Sequence, residues 1–185
     1  MITLRAIQCK KRTSFLDLIS NQMLEIVPIV AVDFSMSNLT FDDRKCIHTV
    51  NEDNMNEYRD LLVAISKAFR QTSPSSILYG FGANSVCKKT EVSDLFVGTG
   101  DLLNPIVMTD HLDKAYYDCL KRVELNAPIH IASVISKGVD FATQSQAHFL
   151  NQEESKQQSQ YKHALSYFVL YVLSTGIIDD MPQTI

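Results

Sequence analysis

Apolar residues along the chain occur either in short continuous runs or at helical spacing. The runs Ile26–Val32, Ile77–Phe81 and Leu165–Leu173 are nearly continuous, which is typical of strands covered on both faces of a parallel sheet. Apolar positions recur every three or four residues over 58–69 and 112–123, which predicts amphipathic helices. This alternation of strands and helices predicts an α/β fold.

Capping residues and breakers predict where these elements begin. Pro28 interrupts the first apolar run, and because proline lacks an N–H for the ladder we expect no pairing before Ile29. Asn54 and Thr109 are predicted N-caps, and Pro128 is predicted to occupy the first position of a later helix. The Gln/Ser-rich stretch 144–160 is expected to form an exposed loop or a frayed helix end.

Composition narrows the class of protein. The 185 residues suit a single domain, and the net charge of -4, from 17 Lys+Arg and 21 Asp+Glu, provides no general field for nucleic acid. No uncharged apolar run is long enough to cross a membrane, and no secretory signal is visible at the N-terminus. The four cysteines are widely spaced and are expected to stay reduced. These features predict a cytoplasmic protein.

Polar residues with ligand chemistry follow the first buried strand. Asp33, Ser35 and Ser37 place one carboxylate and two hydroxyls at alternate positions, and ligands of open α/β sheets bind outside the carboxyl ends of the strands. Hard oxygen atoms of this kind suit Mg²⁺. The same residue types also cap turns and helices, so the triplet by itself leaves both interpretations open.

Other candidate sites are weaker. The glycine-rich segment 98–101 lacks the Gly-Lys-Ser/Thr ending of a phosphate loop. The five histidines show no metal-ligand spacing and are expected to have surface or capping roles. A nucleophilic Ser35 would need a base and an oxyanion hole, and the Gly-x-Ser-x-Gly motif is missing. A hydrolase or a nucleotide-binding protein that uses the same crevice is thus the weaker alternative to a binding module.

Short motifs from residue 14 to residue 184 resemble, in the same order, the A domain of copines, a family of calcium-dependent phospholipid-binding proteins. They include Val32-Asp33-Phe34-Ser35-x-Ser37-Asn38, Gly80-Phe81-Gly82-Ala83, Ser159-Gln160-Tyr161 and Gly176-Ile177-Ile178-Asp179-Asp180-Met181-Pro182-Gln183. The resemblance implies a von Willebrand factor A-type fold, which is a doubly wound, mostly parallel sheet with helices on both faces. It also implies a metal-ion-dependent adhesion site, in which two serines and a threonine coordinate a cation and two aspartates assist.

This chain departs from that pattern at two positions. Ile129 replaces the coordinating threonine, and Thr175 replaces the second aspartate. The resemblance therefore implies a partly degenerate site in which Asp33, Ser35 and Ser37 could hold Mg²⁺, with Mn²⁺ or Ca²⁺ as substitutes. Asp179 and Asp180 could replace the lost oxygen ligands. We expect Asn38, His130 and Thr175 to contact a binding partner.

The resemblance also implies a domain organisation and a role. Residues 1–23 are expected to form a lead-in segment, and residues 24–185 an A-type domain that is truncated before its last helix and strand. The implied role is that of a non-catalytic module that binds an intracellular protein, or of a substrate adaptor in a ubiquitin-ligase assembly. Because the family's lipid-binding modules have no counterpart in this sequence, we expect no direct membrane insertion. Peripheral attachment at the plasma membrane would need other modules or chains.

Overall fold

A computed structural model describes residues 12–21, 24–38, 46–49, 56–84, 91–101, 103–154, 165–176 and 178–184. The strands are β1 Leu24–Asp33, β2 Ser75–Phe81, β3 Ala83–Asn84, β4 Val92–Ser93, β5 Phe96–Val97, β6 Ile106–Met108, β7 Glu124–Leu125 and β8 Leu165–Leu173. The α-helices are α1 Phe15–Ser20, α2 Glu57–Phe69, α3 Leu112–Leu120, α4 Ala132–Glu154 and α5 Met181–Thr184. Short 3-10 turns span Met36–Asn38 and Thr109–His111.

The main sheet has the order β5-β2-β1-β8, with β6 also paired to β2. β1 lies at its centre and runs parallel to both β2 and β8. Asp33 is in register with Phe81, and Val32 with Leu173, so these three strands end at the same edge of the sheet. The residues that follow β1 and β8 are therefore brought together there.

Pairing around Pro28 differs between the two sides of β1. The ladder with β2 begins at Ile29, as predicted. The ladder with β8, however, extends from Leu24 through Pro28 to Val32, so the expectation that no pairing precedes Ile29 is wrong on that side. The missing N–H of Pro28 restricts pairing along one edge of the strand only.

Helices cover both faces of the sheet, which confirms the doubly wound α/β prediction. On one face Val30, Val32 and Leu78 pack with apolar residues of α2 and α3. On the other face Ile29 and Ala31 pack with Val134 of α4 and its neighbours. Alternate residues of β1 thus point to opposite cores, and this explains why its sequence is continuously apolar.

Three predicted helix starts are wrong. Asn54 lies outside the described residues, and α2 is capped instead by Asn56, whose side-chain oxygen accepts from the Arg59 amide at 2.7 Å. The hydroxyl of Thr109 bonds to that of Ser76 at 2.8 Å rather than capping α3. Pro128 precedes α4 by several residues, because that helix begins only at Ala132.

The Gln/Ser-rich stretch is helical in its first part. Of the two predicted alternatives, a loop or a helix end, the loop is wrong over 144–154 because α4 continues through Glu154. Residues 155–160 lie outside the described part of the chain. Glutamine is a good helix former, so polarity alone does not end a helix. None of the helices in the described residues is both long and apolar enough to span a bilayer.

Candidate functional site

Six residues meet at the carboxyl ends of β1 and β8, and we call this set the rim: Asp33, Ser35, Ser37, Ile129, Ser174 and Thr175. The side chain of Asp33 is fully buried. Its Oδ1 accepts from the amide of Ser35 at 2.8 Å, and its Oδ2 accepts from the hydroxyl of Ser174 at 2.6 Å. One carboxylate therefore joins the end of β1 to the end of β8.

The turn after β1 presents two hydroxyls in contact. The Oγ atoms of Ser35 and Ser37 lie 2.6 Å apart and share a hydrogen bond. Ser35 is buried, whereas Ser37 is exposed on the outer side of the 3-10 turn. Gly82 allows this close packing, since it has a φ of 75° and a Cβ there would lie only 3.0 Å from the Cβ of Ser35.

Asn38 supports the rim from the buried interior. Its side-chain nitrogen donates to the carbonyls of Asp33 and Ser35, both at 3.0 Å, and its oxygen accepts from the hydroxyls of Tyr58 and Thr175, both at 2.7 Å. Asn38 was expected to contact a partner, but it is fully buried, and this expectation is therefore wrong. The side chain positions Ser35 and Thr175 instead.

His48 supports the same strand end. Its ring is stacked between those of Phe34 and Tyr58, with centroids 5.3 and 4.8 Å away. Nε2 lies 3.0 Å from the carbonyl oxygen of Asp33, and Nδ1 lies 2.7 Å from the hydroxyl of Tyr116. A neutral ring protonated on Nε2 satisfies both contacts, because it donates to the carbonyl and accepts from the tyrosine.

Burial lowers the pKa of His48 from 6.5 to about 4, against the opposing effect of Asp33. The ring is therefore neutral near pH 7. The expectation of surface or capping roles for the histidines is wrong here, since His48 is buried. No motif around His48 indicates this role, because its partners belong to distant segments of the chain.

The other half of the rim comes from residues 128–132 and the turn after β8. Ile129 is buried and packs next to Gly176. A Cβ at Gly176 would overlap Cδ1 of Ile129 and lie 2.5 Å from Oγ of Ser37. The ends of these two side chains thus point toward the same small volume, and Ile129 lies beside the Ser35–Ser37 pair.

Asp179 and Asp180 hold this half of the rim by its backbone. The amide of Ile129 donates to Asp179 Oδ2 at 2.8 Å, and the amide of Asp179 donates to the carbonyl of Ile129 at 2.9 Å. The two carboxylate oxygens of Asp180 accept from the amides of Ile131 and Ala132 at 2.9 and 2.8 Å. Asp180 therefore caps the start of α4, which explains why that helix begins at Ala132.

The chemistry of Asp180 agrees with this role. Burial alone would raise its pKa, but the two amide donors and the nearby His130 outweigh burial and lower it. Each carboxylate oxygen accepts one backbone amide, so Asp180 acts as a helix cap, and its use as a substitute metal ligand stays a prediction. His130 is partly exposed beside the rim, and its Nδ1 lies 2.9 Å from Asp94 Oδ1.

The oxygen atoms of the rim fit Mg²⁺ poorly. Mg²⁺ requires near-octahedral oxygen ligands at about 2.0–2.1 Å. The rim offers one carboxylate, whose two oxygens already accept protein hydrogen bonds, and the side chain of Ile129 carries no oxygen. Among the residues that the structure describes, no group of three His, Cys, Asp or Glu side chains could hold a metal ion.

Comparisons with known proteins agree with this architecture. The family model described as Copine matches residues 46–185, a range that contains Ile129 and Thr175 but begins after Asp33. The chain is 27% identical over 161 residues to Copine-A of Dictyostelium discoideum, and these residues cover 85% of this chain and 24% of that protein. It is 30% identical over 179 residues to Nicotinic receptor-associated protein 1 of Caenorhabditis briggsae, covering 93% of this chain and 25% of that protein. The chain thus spans about a quarter of the length of these relatives, and it belongs to the copine family.

Proposed function

We propose that this domain is a non-catalytic protein-interaction module that binds an intracellular protein partner at the rim. The observation that carries the proposal is the closed hydrogen-bond network beneath exposed side chains. Asp33, Asn38 and His48 are buried and hold the backbone of the rim, while Ser37 and Thr175 reach the surface. Such preorganisation lowers the entropic cost of binding a partner.

The outer surface of the rim suits a protein partner. Met36 is 49% exposed between two rim serines, and methionine adapts its shape to apolar partners. Ser37 and Thr175 are also exposed and add neutral hydroxyls. The name of the Caenorhabditis relative refers to association with a receptor, which supports a protein as the class of partner. Any attachment to a membrane would then depend on other modules or chains.

The hydrogen bonds at Ser35 favour binding over catalysis. Its hydroxyl contacts the hydroxyl of Ser37, and both ring nitrogens of His48 are used by Tyr116 and the Asp33 carbonyl. A serine nucleophile requires a base within hydrogen-bond reach. Neither contact provides one, and this supports a module without turnover.

A photo-crosslinking experiment tests the proposal. A benzophenone amino acid is introduced at Met36 or at Thr175, and as a matched control at Leu16. Leu16 is 72% exposed in α1, whose Phe15 packs against Tyr167 near the opposite ends of the strands. We expect positions 36 and 175 to crosslink the same intracellular protein, and an excess of unlabelled domain to compete for it. Ser37→Arg should abolish this crosslink, because its bulk and charge occupy the surface of the rim.

Two results would contradict the proposal. Equal crosslinking of one protein from Leu16 and from the rim would show that the rim is not the binding surface. Saturable turnover of a nucleotide or an ester that is lost in Ser35→Ala would show an enzyme instead.

A further inference from the structure

We propose that Ile129 and Thr175 exclude a divalent cation from the rim, so that the module binds its partner without a metal. This inference rests on the proposed function for the choice of surface. The first argument is charge. Asp33 is the one carboxylate among the rim residues, and it is fully buried with both oxygens accepting hydrogen bonds from Ser35 and Ser174.

The second argument is geometry. Adjacent oxygen ligands of octahedral Mg²⁺ are separated by roughly 2.9 Å, given the usual metal–oxygen distance. The hydroxyl oxygens of Ser35 and Ser37 lie closer, at 2.6 Å, and use each other as hydrogen-bond partners. A cation would have to break that bond and would compete with the two donors to Asp33, while the six rim residues offer it no second carboxylate.

The third argument is the space beside the serines. Ile129 is buried, and its Cδ1 and the Oγ of Ser37 both approach Gly176. An apolar methyl group therefore occupies the place that the family resemblance assigns to a coordinating hydroxyl. Thr175 in turn donates its hydroxyl to Asn38 at 2.7 Å, so it is held by a neutral partner and adds no negative charge.

A metal-free rim changes the chemistry expected of the partner. A bound cation would favour a partner carboxylate, which completes the coordination of the metal. The surface at the rim instead presents the exposed Met36, which follows Ser35, and the neutral hydroxyls of Ser37 and Thr175. The matching partner surface is neutral, with an apolar group and hydrogen-bonding groups, and its binding is insensitive to chelators.

Calorimetric titration with Mn²⁺ and with Mg²⁺ tests the inference. The proteins compared are the wild type, Ile129→Thr, and the double variant Ile129→Thr/Thr175→Asp, which restores the residues that the family resemblance implies. We expect no saturable heat and no shift of Tm between EDTA and Mg²⁺ for the wild type. The double variant should gain saturable heat, together with a Tm that rises with metal, and adding Ser37→Ala should remove both.

Either of two results would overturn the inference. Saturable heat in the wild type that is lost in Ser37→Ala would show a working cation site. A folded double variant that stays silent would show that Ile129 and Thr175 are not what excludes the metal. If the double variant does not fold, the single Ile129→Thr variant carries the test, with a weaker gain of Mn²⁺ binding expected. The proposed function is tested independently of the metal, because the crosslinks from positions 36 and 175 are measured in EDTA. Loss of these crosslinks would contradict the binding surface and not the exclusion of the cation.

Discussion

The two halves of the rim are held in place by different means. In the half formed by the end of β1, the side chains that fix the backbone belong to that segment itself. The buried carboxylate of Asp33 and the buried side-chain amide of Asn38 form these hydrogen bonds. In the half formed by residues 128–132, the side chains that hold the backbone come from a separate segment after β8. Asp179 and Asp180 accept the amides of Ile129, Ile131 and Ala132.

This difference explains which positions can change. Replacing Asp33 would remove bonds that define the strand end, so its chemistry and its structural role are linked. The side chain of Ile129 is separate from the bonds that fix its loop, because these involve its amide and carbonyl. A cation ligand can therefore be lost at residue 129 while the loop keeps its position, and the following predictions test this contrast.

The largest effect is expected for Asp33→Ala. It leaves the Ser35 amide and the Ser174 hydroxyl without their acceptor, and hydrogen bonds to a charged group contribute about 2 kcal/mol each, so we expect a loss of about 4 kcal/mol. Urea unfolding measures this loss. The control Asp94→Ala removes an exposed carboxylate and should cost less than about 1 kcal/mol. Equal effects of the two variants would contradict a side-chain network at β1.

The second-largest effect is expected from acid, which should lower the free energy of unfolding through His48 in the β1 half. The folded pKa of His48, about 4, lies below its ordinary value of 6.5, so the stability that depends on its neutral form is present above pH 6.5 and is lost as the pH falls. From pH 7 to pH 5 the expected loss is about 2 kcal/mol, with most carboxylates still ionised. The free energy of unfolding is compared between the wild type and His48→Gln. A slope that persists in the variant would assign the loss to another group.

Asp180→Ala tests the backbone clamp of the other half. It removes the acceptor for the amides of Ile131 and Ala132, and loss of a helix cap costs about 1 to 2 kcal/mol. Amide hydrogen exchange at residues 129–132 should accelerate, while exchange at 33–38 stays unchanged. Gln183→Ala, at an exposed position of α5, is the matched control. Acceleration in both halves would contradict their independence.

The smallest effect is expected for Ser37→Ala. Its hydroxyl is exposed and bonds to that of Ser35, so removing it should change the free energy of unfolding by less than about 0.5 kcal/mol. Ser35→Ala affects the buried partner of the same pair and should cost about 1 kcal/mol. Urea unfolding of both variants compares them. A larger loss for Ser37 than for Ser35 would show that the outer hydroxyl is structural.

Much of the candidate site could be predicted from the order of the strands. Parallel strands end at one edge, so Asp33, Ser35 and Ser37 were expected to lie at the carboxyl edge of the sheet, and the hydrogen bonds from Ser174 and Thr175 after β8 reach the same edge. The family resemblance added Ile129 and Thr175 to this group. Their use in binding a metal or a partner stays a prediction.

The roles of individual side chains could not be predicted from the local sequence. Asparagine and histidine also occur at protein surfaces. Only the burial of Asn38 and His48 shows that these two side chains support the rim from inside. Asp180 has the charge of a metal ligand but caps α4 from 48 or more residues away. Local patterns do not contain such pairings, because capping rules describe neighbours in sequence.

The sequence by itself determined the α/β class, the two-sided burial of β1 and the placement of polar residues at its end, since these follow from local periodicity. The tertiary structure decided which of those polar groups face solvent and which hold the backbone. The reason is that their partners are distant along the chain: the bond between Ser174 and Asp33 spans 141 residues. Such contacts exist only once the strands have paired.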